Sequence, residues 1–172
     1  RHFTCDLESL REWFKVADKF LPNEIKGRSY DLKNSFKQWF QYLSTGFNLL
    51  IYGIGSKKSL LDEFCEYVSD YTYVKVDANV ANFSGQMLLQ KLVSSLALKS
   101  NGKHRSLIAT AEAVARALHD CAEDIILVIN NIDGLGVREH SQQQVFVELA
   151  KCPFVHIVAS IDHFNAPCLW FR

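Results

Sequence analysis

Apolar residues recur along this chain with two different periods, and the alternation between them sets out a fold. From Tyr30 to Leu43, the residues Leu32, Phe36, Trp39, Phe40 and Leu43 fall at helical spacing with lysines between them, which predicts an amphipathic helix ended by Gly46. Phe47–Tyr52 is then a short, almost wholly apolar run, the pattern of a strand buried on both faces of a parallel sheet. A turn rich in glycine and lysine, Gly53–Lys58, leads into a helix with Leu60, Leu61, Phe64 and Val68 on one side.

The alternation repeats. Tyr71–Val76 is β-branched and aromatic, as a strand requires, and Gln86–Leu98 is helical with Leu88, Leu89, Leu92, Val93 and Leu96 facing inward. A polar break, Lys99–Arg105, precedes a helix at Leu107–Cys121. Ile125–Ile129 is a fully apolar strand, Gln142–Ala150 an amphipathic helix and Val155–Ile161 a further buried strand. Strands alternating with helices of this length predict right-handed βαβ units, hence an α/β fold with a mostly parallel sheet between two helical layers. Residues 1–28 are less regular. Leu10, Trp13, Phe14 and Phe20 predict a helix there that packs on the core or docks elsewhere.

Composition narrows the class. A chain of 172 residues with 48% hydrophobic content is the size at which one domain buries one continuous core. No apolar run approaches the roughly 20 residues that span a bilayer, and no basic-then-apolar signal segment opens the chain, so a soluble intracellular protein with no membrane partner is expected. The start at Arg1 without a methionine and the stop after Trp170-Phe171-Arg172 suggest a piece of a longer protein. Lysine plus arginine balances aspartate plus glutamate at 19 each, so nucleic acid could be met only through a local patch. The five cysteines, Cys5, Cys65, Cys121, Cys152 and Cys168, include no CxxC pair and are odd in number. Reduced, mostly buried thiols are expected in place of disulfides or zinc. Asn82-Phe83-Ser84 is a chance sequon in such a protein.

The strand–turn–helix at Phe47–Val68 has the order of a phosphate loop, which uses glycines to turn backbone N–H groups inward, a lysine for the β/γ-phosphates and a Ser/Thr hydroxyl for magnesium. With Lys58-Ser59 aligned to the end of that motif, Tyr52 and Lys57 stand where glycines are required. Gly53 and Gly55 keep the turn tight, but the Lys57 side chain is expected at a position where only glycine tolerates the usual backbone and phosphate approach. Cations at this helix start oppose the dipole, so an acidic residue or anion from a neighbour is expected to meet Lys57 and Lys58. The later strand Ile126-Leu127-Val128-Ile129 ends in Asn130-Asn131, where an ATPase places the Asp that holds the magnesium shell and the Glu that polarises water. Two amides carry no charge for either task. Asp133 falls beyond the strand, suited to capping the turn at Gly134. The strand Val155–Ile161 leads into Asp162, at the place of the polar sensor residue of AAA+ proteins, where a carboxylate repels a triphosphate.

These segments resemble one family. Gly46-Phe47-Asn48 through Lys58, Ile129-Asn130-Asn131-Ile132-Asp133, and Val158-Ala159-Ser160-Ile161-Asp162-His163-Phe164-Asn165-Ala166-Pro167-Cys168-Leu169-Trp170 are similar to the origin recognition complex subunit 2 family over residues 29–172. The resemblance implies a three-layer αβα P-loop NTPase or AAA+-like core at 29–172, after an N-terminal helical extension at 1–28, with a C-terminal winged helix that this chain does not include. It implies a non-catalytic subunit with no cofactor, whose nucleotide site, at Gly53, Gly55, Lys57, Lys58, Ser59, Asn130, Asn131 and Asp162, is degenerate. Its implied partners are the other origin recognition subunits, especially the third, duplex DNA encircled by a partial ring, and helicase-loading factors, all in the nucleus. The basic turn carrying Lys99, Lys103, His104 and Arg105 is the candidate DNA contact, placed where initiator AAA+ proteins carry a helical insertion. Two alternatives stand beside this reading: a divergent P-loop ATPase with residual ATP binding, and a pure protein-interaction module.

Overall fold

A computed structural model describes residues 32, 34–53, 55–98, 106–163 and 166. Contacts divide the chain into two units, Arg1–Ser35 and Phe36–Arg172, and the elements below all lie in the second. The candidate N-terminal helix at Leu10–Phe20, the basic turn at Lys99–Arg105, and Cys5 and Cys168 lie outside the described residues.

Helix α1 (Phe36–Ser44) is followed by β1 (Leu49–Tyr52), α2 (Lys58–Tyr67), β2 (Tyr73–Asp77), α3 (Gly85–Ser95), α4 (Leu107–Cys121), β3 (Ile125–Asn130), a 3-10 turn at Leu135–Val137, α5 (His140–Ala150) and β4 (Val155–Ile161). All strand pairs are parallel, in the order β1-β4-β3-β2. Local chemistry marks the boundaries. Gly46, at φ 86°, closes α1 as a Schellman cap, with its N–H bonded to Leu43 O and that of Phe47 to Tyr42 O. Ser84 and Ser106 cap α3 and α4, accepting from Met87 N at 3.3 Å and Ala109 N at 3.1 Å.

Strand β3 is buried along its whole length because helices cover both of its faces. On one face α1 and α2 bring Phe36, Leu43, Leu61 and Phe64 onto Ile126, Val128 and Val158. On the other, α3, α4 and α5 pack Leu89, Leu92, Val114, Leu118 and Phe146 onto Val76, Leu127, Ile129 and Ile157. Phe64 is fully buried and meets Phe36 edge-on at 5.4 Å and Trp39 at 5.5 Å. Burial pushes the Cys65 thiol up to about 11. Cys65 and Cys152 are buried free thiols, whereas Cys121 is exposed.

One expectation changes. Strand β1 is not buried on both faces: Leu50 is 55% and Tyr52 80% exposed. Leu49 and Ile51 pack towards α1 and α2. On the opposite face an apolar groove of about 440 Å³ is lined by Leu50, Ile132, Ile157, Ala159, Ile161 and the buried, helical Ala166. Leu32 and Asn34, which precede α1, are also helical, as the pattern from Tyr30 predicts. At the opposite edge, β2 is guarded by charge: Lys91 Nζ donates to Lys75 O, and Lys75 pairs with Asp62.

Beyond β3 the chain runs so close to the exit of β2 that a Cβ on Gly134 would stand 2.2 Å from the Ala78 carbonyl oxygen. No helix among the described residues is long and apolar enough to cross a membrane, and no group of three or more His, Cys, Asp or Glu among them could hold a metal ion.

Truncation of the ring at the centre of the α1–α2 face, Phe64→Ala, is expected to cost about 3–5 kcal/mol in denaturant unfolding. Gly134→Ala forces a backbone shift and is expected to cost about 1–3 kcal/mol in the same measurement.

Candidate nucleotide-type site

The C-terminal ends of the four parallel strands come together, the place where open α/β sheets bind ligands. Between β1 and α2 the turn takes glycine-only conformations, φ 141° at Gly53 and 92° at Gly55. A Cβ at either would meet nothing within 4 Å, so glycine is needed for its backbone angles and not for space.

Lys57 is the N-cap of α2, at φ −99° and ψ 8°. The strain expected from a side chain at this position is absent, since the backbone has left the conformation that demands glycine. The side chain folds back over the turn and is buried, the residue being 7% exposed. Its ammonium donates to Gly53 O at 2.7 Å, Gly55 O at 2.7 Å and Asp162 Oδ1 at 2.6 Å. Three donors meet three acceptors. Asp162, read in the sequence as a charge repelling triphosphate, is therefore the counter-ion of Lys57. Lys58 reaches the other way, to Asp77 Oδ2 at 3.1 Å. Both acids belong to this chain, where a neighbour's group had been expected. Ser59 is exposed at the start of α2.

Asp77 ends β2 beside Asn130 at the end of β3. Asn130 Nδ2 donates to Asp77 Oδ1 at 3.1 Å, and Asn130 Oδ1 accepts from Ser160 Oγ at 3.1 Å. Ser160 Oγ in turn accepts from Asn131 N at 2.9 Å. This relay crosses three strands and gives the amide at 130 a purpose: an aspartate there could not donate and would face Asp77 with like charge. Asn131 sits at φ 55°, a left-handed conformation that asparagine tolerates, with its Oδ1 buried and unbonded. Asp133 does not cap the turn at Gly134. Its carboxylate accepts from His163 N at 2.6 Å and Asp162 N at 3.4 Å, holding the chain as it leaves β4.

The sequence-predicted residues Gly53, Gly55, Lys57, Lys58, Asn130, Asn131 and Asp162 thus gather at one end of the sheet. Asp77 escaped the sequence reading, and Ser160 entered it only as part of the family-like segment Val158–Trp170, although Asp77 directly follows an apolar-patterned strand, the position from which α/β sheets present functional groups. Burial pushes the Asp77 carboxyl up, but hydrogen bonds from Asn130, Lys58 and the Asn79 N–H, with the Lys58 charge, outweigh it and hold the group below the usual carboxylate range. Burial, with the Lys58 charge next, lowers the pKa of the Lys75 ammonium.

Because Asp77 has a lower pKa folded than unfolded, it stabilises the fold at neutral pH, and that contribution is lost as pH falls through the folded value. Asp77→Asn should accordingly lower stability at pH 7 and flatten the acid limb of a stability–pH curve below about pH 4. Asn130→Asp should destabilise the protein by about 1–3 kcal/mol at pH 7 in chemical denaturation, since it swaps a buried donor for an acceptor beside Asp77.

Residues 25–172 match the family described as the origin recognition complex subunit 2 RecA-like domain. Origin of replication complex subunit 2 of Oryza sativa subsp. indica is 30% identical over 164 residues, covering 86% of this chain and 43% of the rice protein. Origin recognition complex subunit 2 of Homo sapiens is 27% identical over 167 residues, or 96% of this chain and 29% of the human one. The chain therefore spans less than half the length of these curated relatives. In the structure of Drosophila ORC bound to AT-rich DNA and Cdc6, one chain matches with a TM-score of 0.81 and 26% identity, over 99% of this chain and 57% of its own length. A chain of Drosophila ORC bound to DNA gives 0.78 and 27%, covering 86% of this chain and 85% of that one. The Aeropyrum pernix ORC1 protein in complex with DNA shares the fold at a TM-score of 0.58 and 14% identity, covering 80% of this chain and 40% of its own. The αβα layers, the strand-end residues and the match over residues 25–172 agree, and this chain belongs to the origin recognition complex subunit 2 family, in its RecA-like domain.

Proposed function

We propose that this chain is the core of a non-catalytic subunit of an origin recognition complex, one that helps form a partial ring around origin DNA in the nucleus and supports loading of the replicative helicase. Its neighbours in that reading are the other subunits, the third above all, and helicase-loading factors. Residues 1–28 serve as an N-terminal extension and residues 29–172 as the AAA+-like core. The similar Drosophila chains come from assemblies bound to DNA and, in one structure, to Cdc6, which supports this placement.

The observation that carries the absence of catalysis is the Lys57 ammonium seated in the turn where an ATPase holds phosphates, with Asp162 beside it. A magnesium ion on the β3 side would find the Asn130 amide and an Asp77 carboxylate already hydrogen-bonded to Asn130 and Lys58. Neither the charge compensation nor the base that hydrolysis needs is left over.

Calorimetric titration of the full-length subunit with ATP and magnesium is expected to give no heat of binding, with no phosphate released. Micromolar, magnesium-dependent affinity with turnover would replace this reading with that of a divergent ATPase. For the DNA role, replacing Lys99, Lys103 and Arg105 together with alanine should weaken DNA retention by the assembled complex and reduce its salt dependence, as loss of phosphate contacts does. Unchanged retention and an unchanged salt slope would remove that turn from the DNA contact.

A further inference from the structure

We infer that the turn between β1 and α2 has reversed its polarity: it is a cation nest whose ligand class is a primary ammonium, supplied permanently by Lys57, and it does not become a phosphate site when that lysine is removed. The inference rests on the reading of this site as one without nucleotide, and extends it from an obstructed pocket to a pocket of opposite selectivity.

A phosphate loop converges backbone N–H groups on one point. Here the groups that converge are oxygens. Gly53 O, Gly55 O and Asp162 Oδ1 stand 2.7, 2.7 and 2.6 Å from one nitrogen. The two glycines hold this arrangement with φ angles of 141° and 92° that other residues rarely adopt. The backbone N–H of Lys58, which could otherwise turn to an anion at the start of α2, is directed at Ser56 Oγ, at 3.4 Å. A phosphate placed at the Lys57 ammonium would meet two carbonyl dipoles and a carboxylate, all with the wrong sign. The ammonium of lysine, compact and with three donors, matches three acceptors in number and charge.

The nest also ties separate parts of the chain together. Asp162 follows β4 directly, and its backbone N–H, with that of His163, is held by Asp133 beyond β3. The one ion pair thereby fixes the turn after β1 against the exit of β4, a bridge that a nucleotide makes in an ATPase. Lys57 acts here as a positioning residue for both segments.

The test uses the full-length subunit with Lys57→Ala and Lys57→Gly. Both variants are expected to melt at lower temperature than the wild type. Methylammonium chloride should raise their melting temperature above that in tetramethylammonium chloride of equal concentration, which carries the charge without donors, and should leave the wild type unchanged. Inorganic phosphate and ATP with magnesium should give neither variant any stabilisation, even though Lys57→Gly restores a motif glycine. Stabilisation of Lys57→Gly by phosphate or ATP, or equal responses to the two ammonium salts, overturns the nest. ATP binding by the wild type would instead overturn the non-nucleotide reading beneath it, so the two failures are separable. A second measurement does not depend on the variants folding: mass-resolved acylation of wild-type lysines should modify Lys57 several-fold more slowly than Lys58, and Asp162→Asn should accelerate Lys57 selectively. Equal rates at Lys57 and Lys58 in the wild type would also overturn the proposal.

Discussion

A buried ammonium with three oxygen partners organises the polar end of this sheet. Two of those oxygens belong to a turn whose glycines fix the carbonyls in place, and the third to a carboxylate at the exit of β4. Without a positive charge at their meeting point they would face one another unpaired, at a cost that grows with burial. The neighbouring strand ends are satisfied in the same self-contained way, Asp77 by Asn130 and Lys58, Asn130 by Ser160 and Asp133 by two backbone N–H groups. These groups are completed by one another, apart from the buried Asn131 Oδ1, which has no hydrogen-bond partner.

That difference explains which parts of the molecule were legible in the sequence. Strand β4 and helix α4 have the limits their patterns predict, because a run such as Val155–Ile161 can bury both faces in only one kind of structure. Strand β1 shows the limit of the same reasoning. Leu49, Leu50, Ile51 and Tyr52 are as apolar as β3, but burial on both faces depends on whether a helix crosses each side, which the strand's own residues do not encode.

The site was legible as an inventory and not as a set of partnerships. Spacing from the apolar strands picked out Lys57, Asn130 and Asp162, and each was read as a missing function. Whether a departure is a loss or an exchange depends on what lies opposite, and those distances join residues as far apart in sequence as Lys57 and Asp162. Asp77 and Ser160 stand in no nucleotide-site motif, so only the parallel register of β2, β3 and β4 reveals that they flank Asn130. Asp133 was read as structural, and it is, but its carboxylate serves the strand end and not the adjacent glycine turn.

The Asp77–Asn130–Ser160 relay couples substitutions on neighbouring strands. A carboxylate at position 77 and an amide at position 130 are mutually dependent, so neither can be exchanged alone without leaving the other in a hostile environment. Placing an acidic residue at the end of β3 therefore calls for a compensating change at the end of β2, and the two strand ends behave as one unit towards substitution.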